Sequence, residues 1–292
     1  MTPAAIALIC ISALTHAYWN FLFKRAGGGN LFIGLSKAAE AVVFAPAFVV
    51  WGLPSMPKTP VVAVTLLITV VGVLITYTAL SQAYRHSDLS YAYPISRGSM
   101  LLFLPFLGSW LTGERIDATG AAGLTLILLG VLSLQLKELR MSAIRGIREH
   151  VNRRGLTWAL FTGLVLAVYT LWDKHAVRTI PPFAYLYAYT AAVAAAYAAF
   201  LWARHTPEAI AQEWTARWGA IAQVGVLNTV SYLLVLFALR SGVSSYVIGV
   251  RQLSIAIGVI FGWRYLGEAL TPPRRVGASL IVAGCVLVSL AG

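Results

Sequence analysis

The first apolar stretch of the chain ends in a polar and aromatic patch, Thr15, His16, Tyr18, Trp19 and Asn20. On a helix, Trp19 follows His16 by three positions and Asn20 by four, so the three share a face. Imidazole titrates near neutral pH, and the indole and amide donate hydrogen bonds. Such a face either lines a polar cavity or bonds to a neighbouring helix. Arg97 and Arg251 each fall inside an apolar stretch, with Gln252 beside the second. A guanidinium there attracts a carboxylate, latches a gate, or snorkels to an interface. Both arginines are gating candidates, one expected at each mouth, and Arg251 is also a binding candidate.

Aromatic residues add to this set. Tyr77, Tyr84, Tyr91 and Tyr93 cluster near one break in the apolar pattern, and Tyr169 and Trp172 share a later stretch. Tyr232 and Tyr246 follow, the first flanked by Asn228 and Ser231. Apolar faces with polar tips suit a mixed ligand such as an amino acid or a flat cation, and also suit the aromatic belts at membrane surfaces. The binding candidates are His16, Trp19, Asn20, Tyr77, Tyr93, Trp172, Asn228, Tyr232, Tyr246 and Arg251. Lys37 and Glu40, three apart, read as an ion pair facing protein. Glu114 and Glu268 resemble a catalytic carboxylate pair, but both follow a glycine that ends a helix. They read as structural, satisfying the amides of the helix that follows, with Asp117 and Thr271 as N-caps. No Ser/His/Asp set, phosphate loop, metal cluster or Asp-rich diphosphate motif is evident, so no catalytic residue, metal or cofactor is expected. Cys10 and Cys285 lie in apolar runs and read as small buried residues.

The elements that carry these residues follow from composition. Of 292 residues, 59% are hydrophobic and 11% charged. A soluble domain carries about 25% charged residues, so the bilayer is the expected solvent. At about 28 residues per span and turn, ten crossings fit. Apolar runs occur near 3–23, 31–52, 60–84, 90–111, 118–136, 155–173, 182–203, 216–239, 244–265 and 274–291. Turn chemistry separates them, as at Gly27-Gly28-Gly29, Pro54, Pro57, Pro60, Pro181-Pro182 and Gly242. The first run has Lys24-Arg25 behind it and no basic residue ahead, the reverse of a cleavable signal. The net charge of +12 reflects basic links that set orientation and meet anionic lipid, with no nucleic-acid partner implied.

A shift of 154 positions brings Arg97 onto Arg251, Gly113-Glu114 onto Gly267-Glu268, Gly123 onto Gly277 and Gly130 onto Gly284. Lys24 and Lys174 match at a slightly different offset. The chain therefore divides into a five-helix repeat at 1–136, a basic linker at 137–154 that includes a short surface helix, and a second repeat at 155–292. Odd-numbered links carry fourteen Lys and Arg against five on even links. The positive-inside rule then places the linker in the cytoplasm and both termini outside. An odd number of spans per half makes the repeats inverted, around a central cavity.

These features resemble the drug/metabolite transporter superfamily. The resemblance rests on Leu111-Thr112-Gly113-Glu114 through Gly130 and Tyr265-Leu266-Gly267-Glu268 through Gly284, and it covers the whole chain as two EamA-type domains. Within the superfamily the chain is most similar to YddG-type exporters of amino acids, including aromatic ones. The resemblance implies an all-helical inner-membrane transporter with a small-molecule substrate, and the expected unit is a monomer. The alternative is a membrane-embedded enzyme or lipid-handling protein without solute flux. The small four-helix members carry a glutamate in their first helix for proton exchange; the first span here has no acid. His16 is its candidate replacement.

Overall fold

The computed structural model describes residues 1–87, 89–134, 136 and 152–291, without the side chains of 89–91, 93 and 94. All of its regular structure is helical. The helices are α1 (Pro3–Arg25), α2 (Asn30–Ala47, continuing through a wider turn to Ser55), α3 (Pro60–His86), α4 (Leu89–Thr112) and α5 (Ala118–Ser133). The second half has α6 (Arg153–Thr179), α7 (Pro182–Arg204), α8 (Pro207–Leu239), α9 (Ser244–Leu266) and α10 (Pro272–Leu290). Apolar composition and length make eight of these helices, all but α4 and α5, candidate membrane spans, and α5 is a shorter apolar helix. The expected linker lies outside the described residues, apart from 152–154. There the Asn152 side chain accepts from the Arg154 amide and caps α6.

Breaks and starts follow local chemistry. Proline opens α1, α3, α7, α8 and α10, where its missing N–H is no loss. Asp117 accepts from the Gly120 amide at 2.7 Å and caps α5. Thr271 stands at the N-cap of α10, but its side chain makes no cap bond. α8 is longer than a span and is kinked at Arg217, whose backbone (φ −140°, ψ 16°) is not helical. α9 is interrupted at Gln252, so Arg251 ends its first segment. The paired Gly-Glu links share one geometry. Gly113 and Gly267 take φ of 67° and 68°, a left-handed conformation that favours glycine. The next amide, of Glu114 or Glu268, donates to the carbonyl of Gly108 or Gly262, both at 3.1 Å. This helix stop needs glycine for its backbone and leaves the glutamate side chain free for another task.

The packing joins the two halves. The most extensive helix pairs are α5 with α10, α4 with α6, α1 with α8, α3 with α6, α2 with α8, α2 with α7, and α1 with α9. Every one of these crosses from one half to the other. Exchanging each helix for its counterpart five places along turns α1–α8 into α6–α3, and α4–α6 into α9–α1. The pattern is that of a two-fold axis between the repeats. The halves match in sequence, but each finds its main partners in the other.

Candidate functional site

α1 and the second segment of α9 enclose a cavity of about 330 Å³, lined by His16, Asn20, Lys24, Ser254, Glu268 and Arg274, among others. That is the lower end of the usual range for small-molecule sites. The cavity reaches from the Gly-Glu link of the second half about two turns along α1 to His16. Asn20 donates to the His16 carbonyl at 2.7 Å. Trp19 Nε1–H donates to His16 Nδ1 at 3.2 Å, and an Arg251 guanidinium nitrogen stands 3.3 Å from the same atom. Both neighbours are obligatory donors, so Nδ1 is the unprotonated acceptor. The Arg251 guanidinium lies over the Tyr232 ring, 5.2 Å from its centre. Arg97 acts on His16 electrostatically, as Arg251 does. Arg251 thus reaches His16 directly, and the charge of Arg97 on α4 also acts on it.

Behind Tyr232 is an acid that sequence reasoning missed. Asp173 is fully buried. It accepts hydrogen bonds from the Tyr232 hydroxyl and, at 2.6 Å, from the Tyr185 hydroxyl. Thr69 Oγ1 is 2.8 Å from the Tyr185 oxygen and takes the Trp172 indole N–H at 3.1 Å. Tyr169 and Tyr189 are coupled electrostatically to the same group. His16, Trp19, Asn20, Arg251, Tyr232 and Trp172 thus belong to one connected centre, on which the charge of Arg97 also acts. The other candidates lie elsewhere. Tyr77 is exposed on the outer surface against Tyr197, ring centres 5.9 Å apart. Asn228 donates to Glu40, which is buried and paired with Lys37 at 3.0 Å. Tyr246 is buried against Asp117. The Tyr93 side chain lies outside those described.

The Gly-Glu links carry the second part of the site. Glu114 does not reach the helix that follows it. Its carboxylate accepts from Lys174 of α6 at 2.5 Å, and from the amide and hydroxyl of Ser244, the first residue of α9. Lys174 also donates to the Gly242 carbonyl at 2.7 Å. Glu268, the counterpart of Glu114, pairs with Lys24 of α1, the counterpart of Lys174, and with Arg274. Both Lys–Glu pairs therefore cross between the halves, one at each end of the molecule. Their surroundings differ. The side chains of Lys174 and Glu114 are 9% and 5% exposed, those of Lys24 and Glu268 63% and 26%. One end is sealed and the other opens on the cavity.

The exposed pair sets a pH-dependent expectation. The Lys24 hydrogen bond, aided by the charges of Lys24 and Arg274, holds the Glu268 carboxyl below the usual carboxylate range despite partial burial. A lowered folded value gives a contribution that is complete above the ordinary pKa of about 4.3 and is lost as pH falls through the lowered value. Solvent weakens the pair, so Glu268→Gln is expected to cost less than about 1 kcal/mol at pH 7. Melting of the detergent-solubilised protein checks this. The difference from wild type should close in acid and shrink in high salt.

Among the described residues, ten helices, packed chiefly across two matched halves and joined by crossed charged links, make a multi-pass membrane protein. Residues 153–290 match the EamA-like transporter family. That family falls within the drug/metabolite transporter superfamily, and the match spans the second half of the chain. A solved crystal structure, 15% identical, superposes with a TM-score of 0.75 over 99% of this chain and 98% of its own; that likeness is one of fold. No curated protein matches the chain.

Proposed function

We propose that the protein is a secondary transporter that exports amino acids or related small metabolites across a bacterial-type inner membrane by alternating access. The observation that carries this reading is the inequality of the two crossed Lys–Glu pairs. They occupy equivalent places in the repeats, yet one is buried and the other borders a cavity. Equivalent elements in unequal states suit a molecule whose halves rock to exchange those states. With the basic linker cytoplasmic and both termini periplasmic, the open Lys24–Glu268 end faces the cytoplasm, the loading side of an exporter. The cavity wall supports the substrate class. Arg274, Lys24 and the nearby Arg251 attract a carboxylate, Asn20 and Ser254 offer hydrogen bonds, and Phe21 and Phe261 offer apolar faces.

Purified protein in liposomes is expected to carry labelled aromatic amino acids with saturable flux. Arg251→Gln should reduce that flux by about ten-fold or more, as removal of a charged hydrogen-bond donor from a buried site does. Folded protein without saturable flux would sink the reading.

A further inference from the structure

The buried acids of the spans are not alike. Glu40 is paired with Lys37, and Glu114 in its link with Lys174. The ion pairs of the described residues do not include Asp173. It accepts hydrogen bonds from the phenol hydroxyls of Tyr185 and Tyr232, and it has no exposed surface. An ionised carboxylate so placed in a membrane is costly, and a proton relieves the cost.

Counting hydrogens sharpens the point. Tyr185 has one hydroxyl hydrogen and two oxygens in range, Asp173 Oδ1 at 2.6 Å and Thr69 Oγ1 at 2.8 Å. Thr69 also has one, with the Tyr185 oxygen and the Thr65 carbonyl each at 2.8 Å. With Asp173 ionised, Tyr185 donates to the carboxylate and Thr69 donates to Tyr185. With Asp173 protonated on Oδ1, the acid donates to Tyr185, Tyr185 to Thr69, and Thr69 to the Thr65 carbonyl. Each order places one hydrogen in each short contact between Asp173, Tyr185 and Thr69, and no heavy atom moves. Tyr232 donates to the other carboxylate oxygen in both. A hydroxyl row that reverses direction is built to accept and return a proton.

We propose that Asp173 is a proton-binding site that couples transport to the proton gradient. The carboxylate takes a proton from solvent on one face of the membrane, holds it on Oδ1 while buried, and returns it to solvent on the other. The placement fits this. The titratable and charged groups facing Asp173 are Tyr169 on its own helix, Tyr185 and Tyr189 on α7, Tyr232 on α8 and Arg251 on α9. α3 contributes Thr69, while α4, packed along the same helix, brings Arg97 to the His16 side. His16, Arg251 and Tyr232 stand between Asp173 and the cavity. The next residue, Lys174, makes the buried cross-repeat pair. A turn of α6 that opens that pair also moves Asp173.

The proposal rests on the transport reading, and the test separates the two. In proteoliposomes, wild type is expected to accumulate labelled phenylalanine against a gradient when pH differs across the membrane. Asp173→Asn should lose that accumulation, down to empty liposomes, while exchange of labelled for unlabelled phenylalanine at equal pH persists. Accumulation that survives in Asp173→Asn overturns the proposal, as does loss of exchange in a folded variant. Tyr185→Phe keeps the ring, removes the relay hydroxyl, and should slow gradient-driven uptake with exchange retained. Infrared difference spectra across a pH titration need no substrate. Wild type should show a buried carboxylic-acid C=O band that Asp173→Asn lacks. Its absence from wild type overturns the proposal even if phenylalanine is not carried.

Discussion

Glu114→Gln is expected to destabilise this form of the protein by about 3–5 kcal/mol, the usual result of removing one partner of a buried ion pair. Lys174 keeps only its bond to the Gly242 carbonyl and becomes a charge in apolar surroundings with little access to water. Ser244 loses an ionised acceptor for both its amide and its hydroxyl. Little of this is recovered by solvent or salt, because a buried pair is screened weakly. The matched change at Glu268 removes a pair that water already weakens, so two equivalent residues should differ several-fold in effect. A melting experiment on the two single variants checks the contrast, and equal shifts would contradict the asymmetry of the two ends.

The same substitution should also shift the conformational balance. The Glu114 pair holds α6 and α9 of one half against the α4–α5 link of the other. Under alternating access it exists only while that end is shut. A loss of about 3 kcal/mol from one state alone changes the population ratio more than a hundred-fold. Ser245 is a suitable reporter, since it is fully buried beside the pair and its hydroxyl has no partner among the described residues. With Cys10 and Cys285 replaced by alanine, a thiol introduced by Ser245→Cys should react slowly with a membrane-impermeant maleimide. Adding Glu114→Gln should make it react quickly. Unchanged reactivity would mean that the pair stabilises the fold without holding a gate.

Much of this architecture was legible in the sequence, and the reasons are local. Proline and glycine corners mark helix ends wherever a helix cannot continue, so ten spans could be placed. The Gly-Glu repeat was visible because a left-handed helix stop demands glycine in both halves. The glutamates' partners were hidden, since Glu114 meets Lys174 and Ser244 only when one half folds against the other. Asp173 was missed because it adjoins Lys174, and a charged pair at the end of an apolar run reads as a link. The signal that would have found it is Pro181-Pro182. The next helix breaker lies eight residues on, so α6 continues to Thr179 and Asp173 falls inside the helix. Arg97 and Arg251 were found by their place in apolar runs. The contact of Arg251 with His16 depends on the packing of α1 against α9, which no spacing reveals.

The second large effect is expected where α5 meets α10, the most extensive helix contact among the described residues. Four glycines make it possible. A side chain on Gly123 would meet the Gly284 carbonyl at 2.8 Å, and one on Gly284 the Gly123 carbonyl at 2.5 Å. Gly130 and Gly277 face each other's carbonyls in the same way, at 2.7 Å each. The obstacles are backbone atoms and cannot rotate aside. In a bilayer, helices associate through close packing more than through apolar burial, so small residues at the crossing carry the contact. Each single Gly→Ala change here should cost about 1–3 kcal/mol, and Gly→Leu more, as overpacking does. Gly219 in α8, with nothing within 4 Å of its missing side chain, is the control. There alanine should be neutral or stabilising by up to about 1 kcal/mol through helix propensity. Combining Gly123→Ala with Gly277→Ala distinguishes two mechanisms. The two sites lie in different glycine pairs along one rigid crossing. If the first methyl forces the helices apart along their length, the second meets a gap already opened, and the double variant costs less than the sum. If each methyl strains only its own turn, the costs add. The shared carbonyl contacts favour separation of the whole pair, so sub-additive loss of stability is the expected result.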